Sequence, residues 1–289
     1  MNELTAKRLA VIRHLFEKGK ALSQEGEPLN GLCLLPFHDS VEMFMKLCAD
    51  EQGVSVTRNT IFSNYFDLLP NLQDKAQMLS LNARRVSLKH HGQMPSSMDV
   101  EISRVNVVDF YEHNTPIFFG CRLEDVSLEV LISYPKVKEY LQKYHEYIDD
   151  GKFGDAQAQC QIAFRVFLLE YHKNYGRGLD LKSGPASDLD GLRNPHLEPA
   201  TDKYLDTLKE SIYRLNEAIS IMSLGINYFR YDEFKALGPA IYKRWTSPDG
   251  EFDYYVGSET NYNLTTTKAC YDFVIETVLQ LQGNNVFLY

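Results

Sequence analysis

The feature that most constrains this fold is the spacing of apolar residues, which recur every three or four positions over long stretches of the chain. This spacing places them on one face of an α-helix, whereas a half-buried strand alternates with a period of two. In the first half we predict helices over residues 4–25, 29–48, 57–70, 71–91 and 99–112. The valines of residues 99–112 would also fit a strand, although a helix is preferred there. In the second half we predict helices over residues 137–150, 155–175, 202–222, 228–237 and 269–281.

Two segments depart from this helical pattern. Residues 176–199 are rich in Gly, Pro, Ser and Asp and are predicted as a long surface loop. Residues 241–256 contain the turn sequence Ser247-Pro248-Asp249-Gly250 and could form a small β-hairpin. The predicted fold class is therefore all-α, with one helical bundle over residues 1–130 and a second mainly helical domain over residues 131–289.

Charge and cysteine usage narrow the classes of function. The net charge is -9, so the chain is not a general nucleic-acid coat, although a local basic site remains compatible with it. No apolar run approaches the roughly 20 residues that span a bilayer, and we predict a cytoplasmic protein without membrane contact. The five cysteines form no Cys-x-x-Cys pair, which argues against disulfides and structural zinc. We expect no metal and no cofactor.

One helix end concentrates positive charge in this acidic chain. Its cationic side chains, followed at once by a glycine that suits a helix C-cap, are Arg84, Arg85, Lys89, His90 and His91. At about 100° per residue, Arg84 and His91 lie nearly on one face. Arg85 and Lys89 share another face, while Arg85 and His90 diverge by about 140°.

Arginine and histidine near one cleft suit the cleavage of a phosphodiester. A guanidinium binds phosphate oxygens and stabilises developing charge, and an imidazole exchanges protons near neutral pH without a metal. The simpler interpretation is that cations in a last helical turn complement the negative end of the helix dipole. Residue spacing alone leaves both interpretations open.

The same residues resemble a known family. The segment from Arg85 through Val-Ser-Leu-Lys to His90, with Gly92 after it, resembles the motif of HEPN domains, an Arg followed by a His after four to six residues. It is most similar to the form Arg-Asn-x-x-Lys-His-x-Gly, and residues 95–99 and 104–110 also resemble bacterial HEPN proteins. The resemblance covers about residues 4 to 120. The second domain is similar only in helical architecture, with a degenerate HEPN-like bundle as one interpretation.

The resemblance implies an up-down helical bundle with metal-independent endoribonuclease activity on RNA. In this family the site forms when two bundles pack together, which implies a homodimer or, alternatively, a pairing of the two halves within one chain. The resemblance also implies a role in antiphage defence or a toxin–antitoxin system, with an antitoxin or defence partner. Arg85 and His90 match the catalytic pair. The residues that would support them or bind substrate are Arg84, Lys89, His91, Asn82 and Glu42.

An alternative follows from one departure from the motif. Val86 stands where the family form has a polar residue, and together with the acidic net charge it favours a catalytically silent HEPN scaffold that binds RNA, a nucleotide or a partner protein. The second half has no comparable helical motif, because Arg193-Asn194-Pro195-His196 is too short and contains a proline.

A second polar group occurs near the start of the second predicted helix. His38, Asp39 and Glu42 could contribute to a metal site of the HD type only with further ligands, and their position is more typical of a helix start. A third interpretation is that Glu42 faces the motif helix and orients Arg85 or His90.

Overall fold

A computed structural model shows a mainly α-helical protein, which confirms the predicted all-α class. The structure describes residues 2–175, 199–243, 252–256 and 262–284. The chain divides into two compact units, Met1–Leu131 and Ile132–Tyr289, and this division lies one residue from the predicted boundary. In the part of the chain that the structure describes, no helix has the length and apolarity needed to cross a bilayer.

The first unit is a bundle of four long helices with one short helix between them. Its helices are α1 (Glu3–Ser23), α2 (Leu34–Glu51), α3 (Tyr65–Leu68), α4 (Lys75–His91) and α5 (Ser97–Phe119). Short 3-10 turns lie at Leu29–Cys33, Phe62–Asn64, Leu123–Asp125 and Leu128–Leu131.

The helix predicted over residues 57–70 is wrong in extent. The segment forms only a 3-10 turn and the single-turn helix α3, yet Tyr65, Phe66 and Leu69 are buried in the core. Its apolar residues therefore reflect burial rather than a regular helix. The helix predicted over residues 99–112 is real but longer, because Ser96 caps its start and it continues to Phe119.

Helix α2 lies at the centre of the first unit and contacts α1, α4 and α5. Its Phe44 ring meets Phe110, Tyr111 and Phe119 edge-on, with ring centroids 5.5, 5.3 and 5.5 Å apart. Edge-to-face pairs of this kind add to the burial of apolar area in holding a core together. These ring contacts pack α2 against α5, and the same helix also contacts α4.

The second unit is a separate helical assembly. Its elements are α6 (Pro135–Asp149), α7 (Phe153–Tyr175), α8 (Pro199–Ser223), α9 (Tyr228–Leu237), β1 (Ile241–Lys243), β2 (Phe252–Tyr254) and α10 (Leu264–Asn284). The predicted hairpin is present, since β1 and β2 pair antiparallel with Ile241 opposite Tyr254. Its turn at residues 247–250 lies outside the described residues, as do residues 176–198 of the loop predicted over residues 176–199. The last residue of that predicted loop, Pro199, begins α8 instead.

Candidate functional site

The predicted basic motif lies on α4, in the first unit. Gly92 ends this helix with φ +66°, and its N–H donates to the Leu88 carbonyl at 3.1 Å. The Gln93 N–H reaches the Ser87 carbonyl at 3.3 Å. A residue with a side chain adopts this left-handed conformation at a cost, so the prediction of a C-cap glycine is confirmed.

Arg84 faces α5 and is engaged in ion pairing. Its Nε donates to Asp99 Oδ1 at 2.9 Å and its Nη1 to Ser80 Oγ at 2.9 Å. Asp99 also belongs to the capping box of Ser96 at the start of α5. Hydrogen bonds from Ser96 and then from Arg84 hold the pKa of the Asp99 carboxyl below its usual value. Arg84 therefore links α4 to α5.

Arg85 faces a different neighbour, helix α2. Its Nε is buried and has no hydrogen-bond partner among the described residues. The guanidinium lies close enough to His38 and Glu42 for its charge to lower the pKa of both. The interpretation that Glu42 faces the motif helix near Arg85 agrees with this placement.

His38 joins α2 to α4 within this group. It is 3% exposed, and its Nε2 lies 2.9 Å from Asn82 Oδ1. Because a carbonyl oxygen only accepts hydrogen bonds, Nε2 carries the proton in this pair. The ring also stacks on Phe62, with centroids 4.7 Å apart.

The other ring nitrogen of His38 is unpaired. Nδ1 lies 3.6 Å from Asp39 Oδ1 and 3.9 Å from Glu42 Oε2, both too far for a hydrogen bond. It is buried and has no partner in the described structure. His38 Nδ1 and Arg85 Nε are thus two neighbouring buried polar atoms without a partner among the described residues, which is uncommon in folded proteins.

Burial and charge keep this group in a defined ionisation state. Burial, followed by the charge of Arg85, lowers the pKa of His38, which favours the neutral imidazole. Burial alone would raise the pKa of Glu42, but the hydrogen bond and charge of Lys46, 2.7 Å away, together with His38 and Arg85, lower it. These shifts favour a neutral His38 that lies near both the Glu42 carboxylate and the Arg85 guanidinium.

The last turn of α4 contrasts with this buried group. Lys89, His90 and His91 are exposed, and none forms an ion pair or side-chain hydrogen bond with any described residue. The five-residue separation between Arg85 and His90 corresponds to about 140° of rotation and about 7.5 Å of rise along a helix. Within one chain, then, the structure brings Arg85 together with Asn82 and Glu42 but does not bring it to His90.

Sequence reasoning did not predict that His38 belongs to the same group as Asn82. His38 lies on the helix face of Val41 and Met45, which are fully buried. A histidine in register with core residues signals a buried imidazole that needs a polar partner. The identity of that partner, 44 residues away, is a product of helix packing.

The residues near His38 do not form a recognisable metal site. Across the described ranges, no group of three or more His, Cys, Asp or Glu side chains is arranged to hold a metal ion. The interpretation of His38 and Asp39 as part of an HD-type site therefore lacks further ligands in that part of the chain.

The second unit contains a cavity of about 590 Å³ beside α7, α8 and α9. Its charged side chains are largely bonded to other groups of the protein. Glu217 accepts a hydrogen bond from the Tyr231 hydroxyl at 2.7 Å and pairs with Lys235, and Arg165 donates to the Ile241 carbonyl at 3.2 Å. The cavity therefore offers fewer polar groups that are free to bind a ligand than the first unit does, where these groups are found around Arg85 and at the end of α4.

Comparison with known proteins does not place this chain in a family. No family model, no curated protein and no solved structure matches it.

Proposed function

We propose that this chain is a metal-independent endoribonuclease of the HEPN type, with Arg85 binding the scissile phosphate and His90 transferring protons. The observation that carries the proposal is the division of α4 into two parts. Arg85 is partly buried beside His38 and Glu42, with its Nε out of contact with solvent, while His90 is exposed at the helix end and has no partner among the described residues. An exposed histidine is available for substrate, and a partly buried arginine is held in a restricted position while the rest of its guanidinium can still reach a ligand.

The reaction would be a transfer of phosphorus between two ribose oxygens. The 2′-hydroxyl loses its proton and its oxygen attacks the neighbouring phosphorus, while the bond from phosphorus to the 5′-oxygen breaks and that oxygen gains a proton. The products are a 2′,3′-cyclic phosphate and a 5′-hydroxyl. Arg85 would stabilise the negative phosphate oxygens, and His90 would act as general acid or base.

The geometry of α4 favours a site made by two copies. Because Arg85 and His90 diverge by about 140° around one helix, they do not both face one phosphate from the same chain. A two-fold homodimer would place Arg85 of one copy beside His90 of the other. Lys89 and His91 would then add positive charge around the RNA backbone, where salt-dependent phosphate contacts supply affinity.

The experiment compares RNA cleavage in EDTA by wild type, Arg85→Ala, His90→Ala and the double variant. Arg104→Ala and His113→Ala are matched controls, because both residues lie on α5 and pair with nearby carboxylates. We expect cleavage by wild type and the controls, cyclic phosphate ends, and loss of about a hundredfold or more in each site variant. Absence of cleavage by wild type on all RNAs tested would overturn the proposal.

A mixing experiment tests the two-copy site. In a heterodimer of Arg85→Ala with His90→Ala, one of the two composite sites keeps both residues. Random exchange should therefore restore about a quarter of wild-type activity. A mixture as inactive as its components, despite verified subunit exchange, would contradict a composite site.

A second candidate function is a catalytically silent HEPN scaffold that binds RNA, a nucleotide or a partner protein. It is favoured by Glu42, whose negative charge lies close to Arg85 and partly offsets the charge available to a phosphate. An antitoxin or defence protein would be a partner of such a scaffold, as it would be of the nuclease. Binding of uncleavable 2′-O-methyl RNA by wild type, without cleavage of ordinary RNA, would support this candidate.

A further inference from the structure

His38 has no part in the proton transfers proposed above, yet it is the most deeply buried ionisable side chain near Arg85. Only 3% of it is exposed, so RNA does not reach the ring. Burying a polar ring is costly unless it is hydrogen-bonded, and one of its two nitrogens is unpaired. Packing alone therefore does not explain a histidine at this position. The hydrogen bond from its Nε2 to Asn82 suggests a further role.

The paired nitrogen determines how the Asn82 amide is oriented. His38 Nε2 donates to Asn82 Oδ1 at 2.9 Å, so the amide oxygen is occupied by the buried imidazole. The amide nitrogen of Asn82 has two N–H groups, and neither has a hydrogen-bond partner among the described residues. Asn82 is partly exposed, so these donors are accessible from outside the core.

The Asn82 amide lies beside the proposed phosphate-binding arginine. Asn82 and Arg85 are three residues apart on α4, and side chains at this spacing are neighbours on a helix surface. Both side chains face α2, since His38 of α2 is hydrogen-bonded to Asn82 and its pKa is lowered by the charge of Arg85. An amide N–H pair next to a guanidinium forms a set of adjacent donors that suits the oxygens of one phosphate.

We propose that His38 is a positioning residue, which by holding the Asn82 oxygen presents the Asn82 amide nitrogen as a second phosphate donor beside Arg85. This inference rests on the proposed function of the Arg85 site in binding RNA. Phosphate is the ligand that the donors favour, because every free hydrogen of Asn82 and Arg85 is a donor and a phosphate oxygen only accepts.

The neutral form of His38 fits this role. A charged imidazolium next to Arg85 would be repelled, and burial together with that charge keeps the pKa of His38 low. A neutral ring has a single N–H group. With the proton on Nε2, that group donates to Asn82, and Nδ1 carries only a lone pair. The ring is also held in place by its stack on Phe62.

The test measures two properties of the full chain, RNA cleavage and affinity for a fluorescent, uncleavable 2′-O-methyl RNA. The variants are His38→Phe, which keeps a flat ring against Phe62 but has no donor, His38→Gln, whose amide can still donate, Asn82→Ala, and the double variant His38→Phe with Asn82→Ala. Thermal unfolding confirms that each variant is folded.

We expect His38→Phe and Asn82→Ala each to weaken RNA affinity about tenfold, as loss of one hydrogen bond to a charged group does, with the double variant no weaker than either. His38→Gln should retain most of the affinity. This pattern of coupling and rescue would not arise if His38 only supported the core. Unchanged affinity in folded His38→Phe, or additive losses in the double variant, would overturn the positioning role.

The two measurements separate this inference from the proposed nuclease activity. If RNA is bound with the predicted coupling but never cleaved, the nuclease proposal fails while the role of His38 stands in a binding site. If cleavage depends on Arg85 and His90 but not on His38, the positioning role alone fails. If wild type neither binds nor cleaves RNA, both are overturned.

Discussion

The imidazole of His38 donates to the side-chain oxygen of Asn82 over 2.9 Å, and this hydrogen bond joins α2 to α4 next to Arg85. The two residues are 44 positions apart in the sequence. Sequence analysis assigned His38 to a helix start. The contact shows that it belongs with Asn82, Arg85 and Glu42. The predictions below concern this group, the end of α4, the packing of α1 on α2 and the cysteines.

The first prediction concerns stability in mild acid. Burial lowers the pKa of folded His38, so the unfolded chain takes up a proton at a higher pH than the folded chain. The contribution to stability is present above the unfolded-state pKa of about 6.5 and is lost progressively as pH falls below it. Urea unfolding of wild type should show a decrease in stability from about pH 7 to pH 5, and this decrease should be shallower in His38→Phe.

A second histidine supplies a control of opposite sign. The hydrogen bond to Asp74, 2.9 Å away, raises the pKa of exposed His113. Its contribution is present below the unfolded-state pKa and is lost as pH rises through the folded one. His113→Gln should therefore make the decline in acid steeper, not shallower. A slope in His38→Phe identical to wild type would contradict the assignment of a buried neutral imidazole.

The second prediction concerns the glycine that ends α4. Gly92 has φ +66°, and a Cβ there would meet no atom of the described part of the chain within 4 Å, so Gly92→Ala has a conformational cost without a steric clash. We expect a loss of about 1 kcal/mol in the free energy of unfolding, measured in urea. Gly92→Asn should lose less, because asparagine tolerates the left-handed region better than alanine. Equal stability of Gly92→Ala and wild type would contradict this account.

The third prediction concerns the packing of α1 on α2. A Cβ at Gly19 would lie 2.4 Å from Phe37 Cδ1, and the Phe37 side chain is fully buried and cannot move aside freely. Gly19→Ala should lower the free energy of unfolding by about 1–3 kcal/mol, as overpacked cores do. Gly26→Ala is the control, since none of the residues that the structure describes lies within 4 Å of its Cβ position. Equal effects of the two changes, by thermal or urea unfolding, would count against the close contact.

The fourth prediction concerns thiol reactivity. The buried thiols are Cys33, Cys48, Cys160 and Cys270, whereas Cys121 is partly exposed. Burial raises the pKa of Cys33 and of Cys270 to about 12 each, which removes the reactive thiolate at neutral pH. Under native conditions a thiol reagent should label Cys121 alone and slowly, because burial and Asp125 raise its pKa as well. Cys121→Ser should abolish the native signal, and rapid labelling of other cysteines would show that the core opens readily.

Much of the helical framework was predictable because it depends on local pattern. The paired helices α6 and α7 lie close to their predicted positions, and the end of α4 at Gly92 matches the prediction. Each reflects spacing or a single residue type that acts on its own backbone. The helix predicted over residues 57–70 was wrong in extent, because the apolar side chains of this segment are buried without forming a long helix. The spacing of apolar residues indicates which side chains are buried more directly than it indicates the length of a helix.

The candidate site was predictable in part. The angle between Arg85 and His90 follows from helix geometry, so their separation on α4 was expected from the sequence. The engagement of Arg84 by Asp99 and the approach of Arg85 to His38 were not, because they depend on which helices pack against each face of α4. Roles for Arg85, His90 and their supporting residues remain predictions for the experiments above.

The sequence by itself determined the all-α class, the position of α4 and the concentration of cations at its end, because helix periodicity and capping act over a few neighbouring residues. Only the tertiary structure decided which of those cations remain exposed and which face another helix. Contacts such as that of His38 with Asn82 join residues far apart in the chain, and they arise when the buried faces of α2 and α4 pack together. That packing separates a partly buried Arg85 from an exposed His90, the difference on which the proposed function depends.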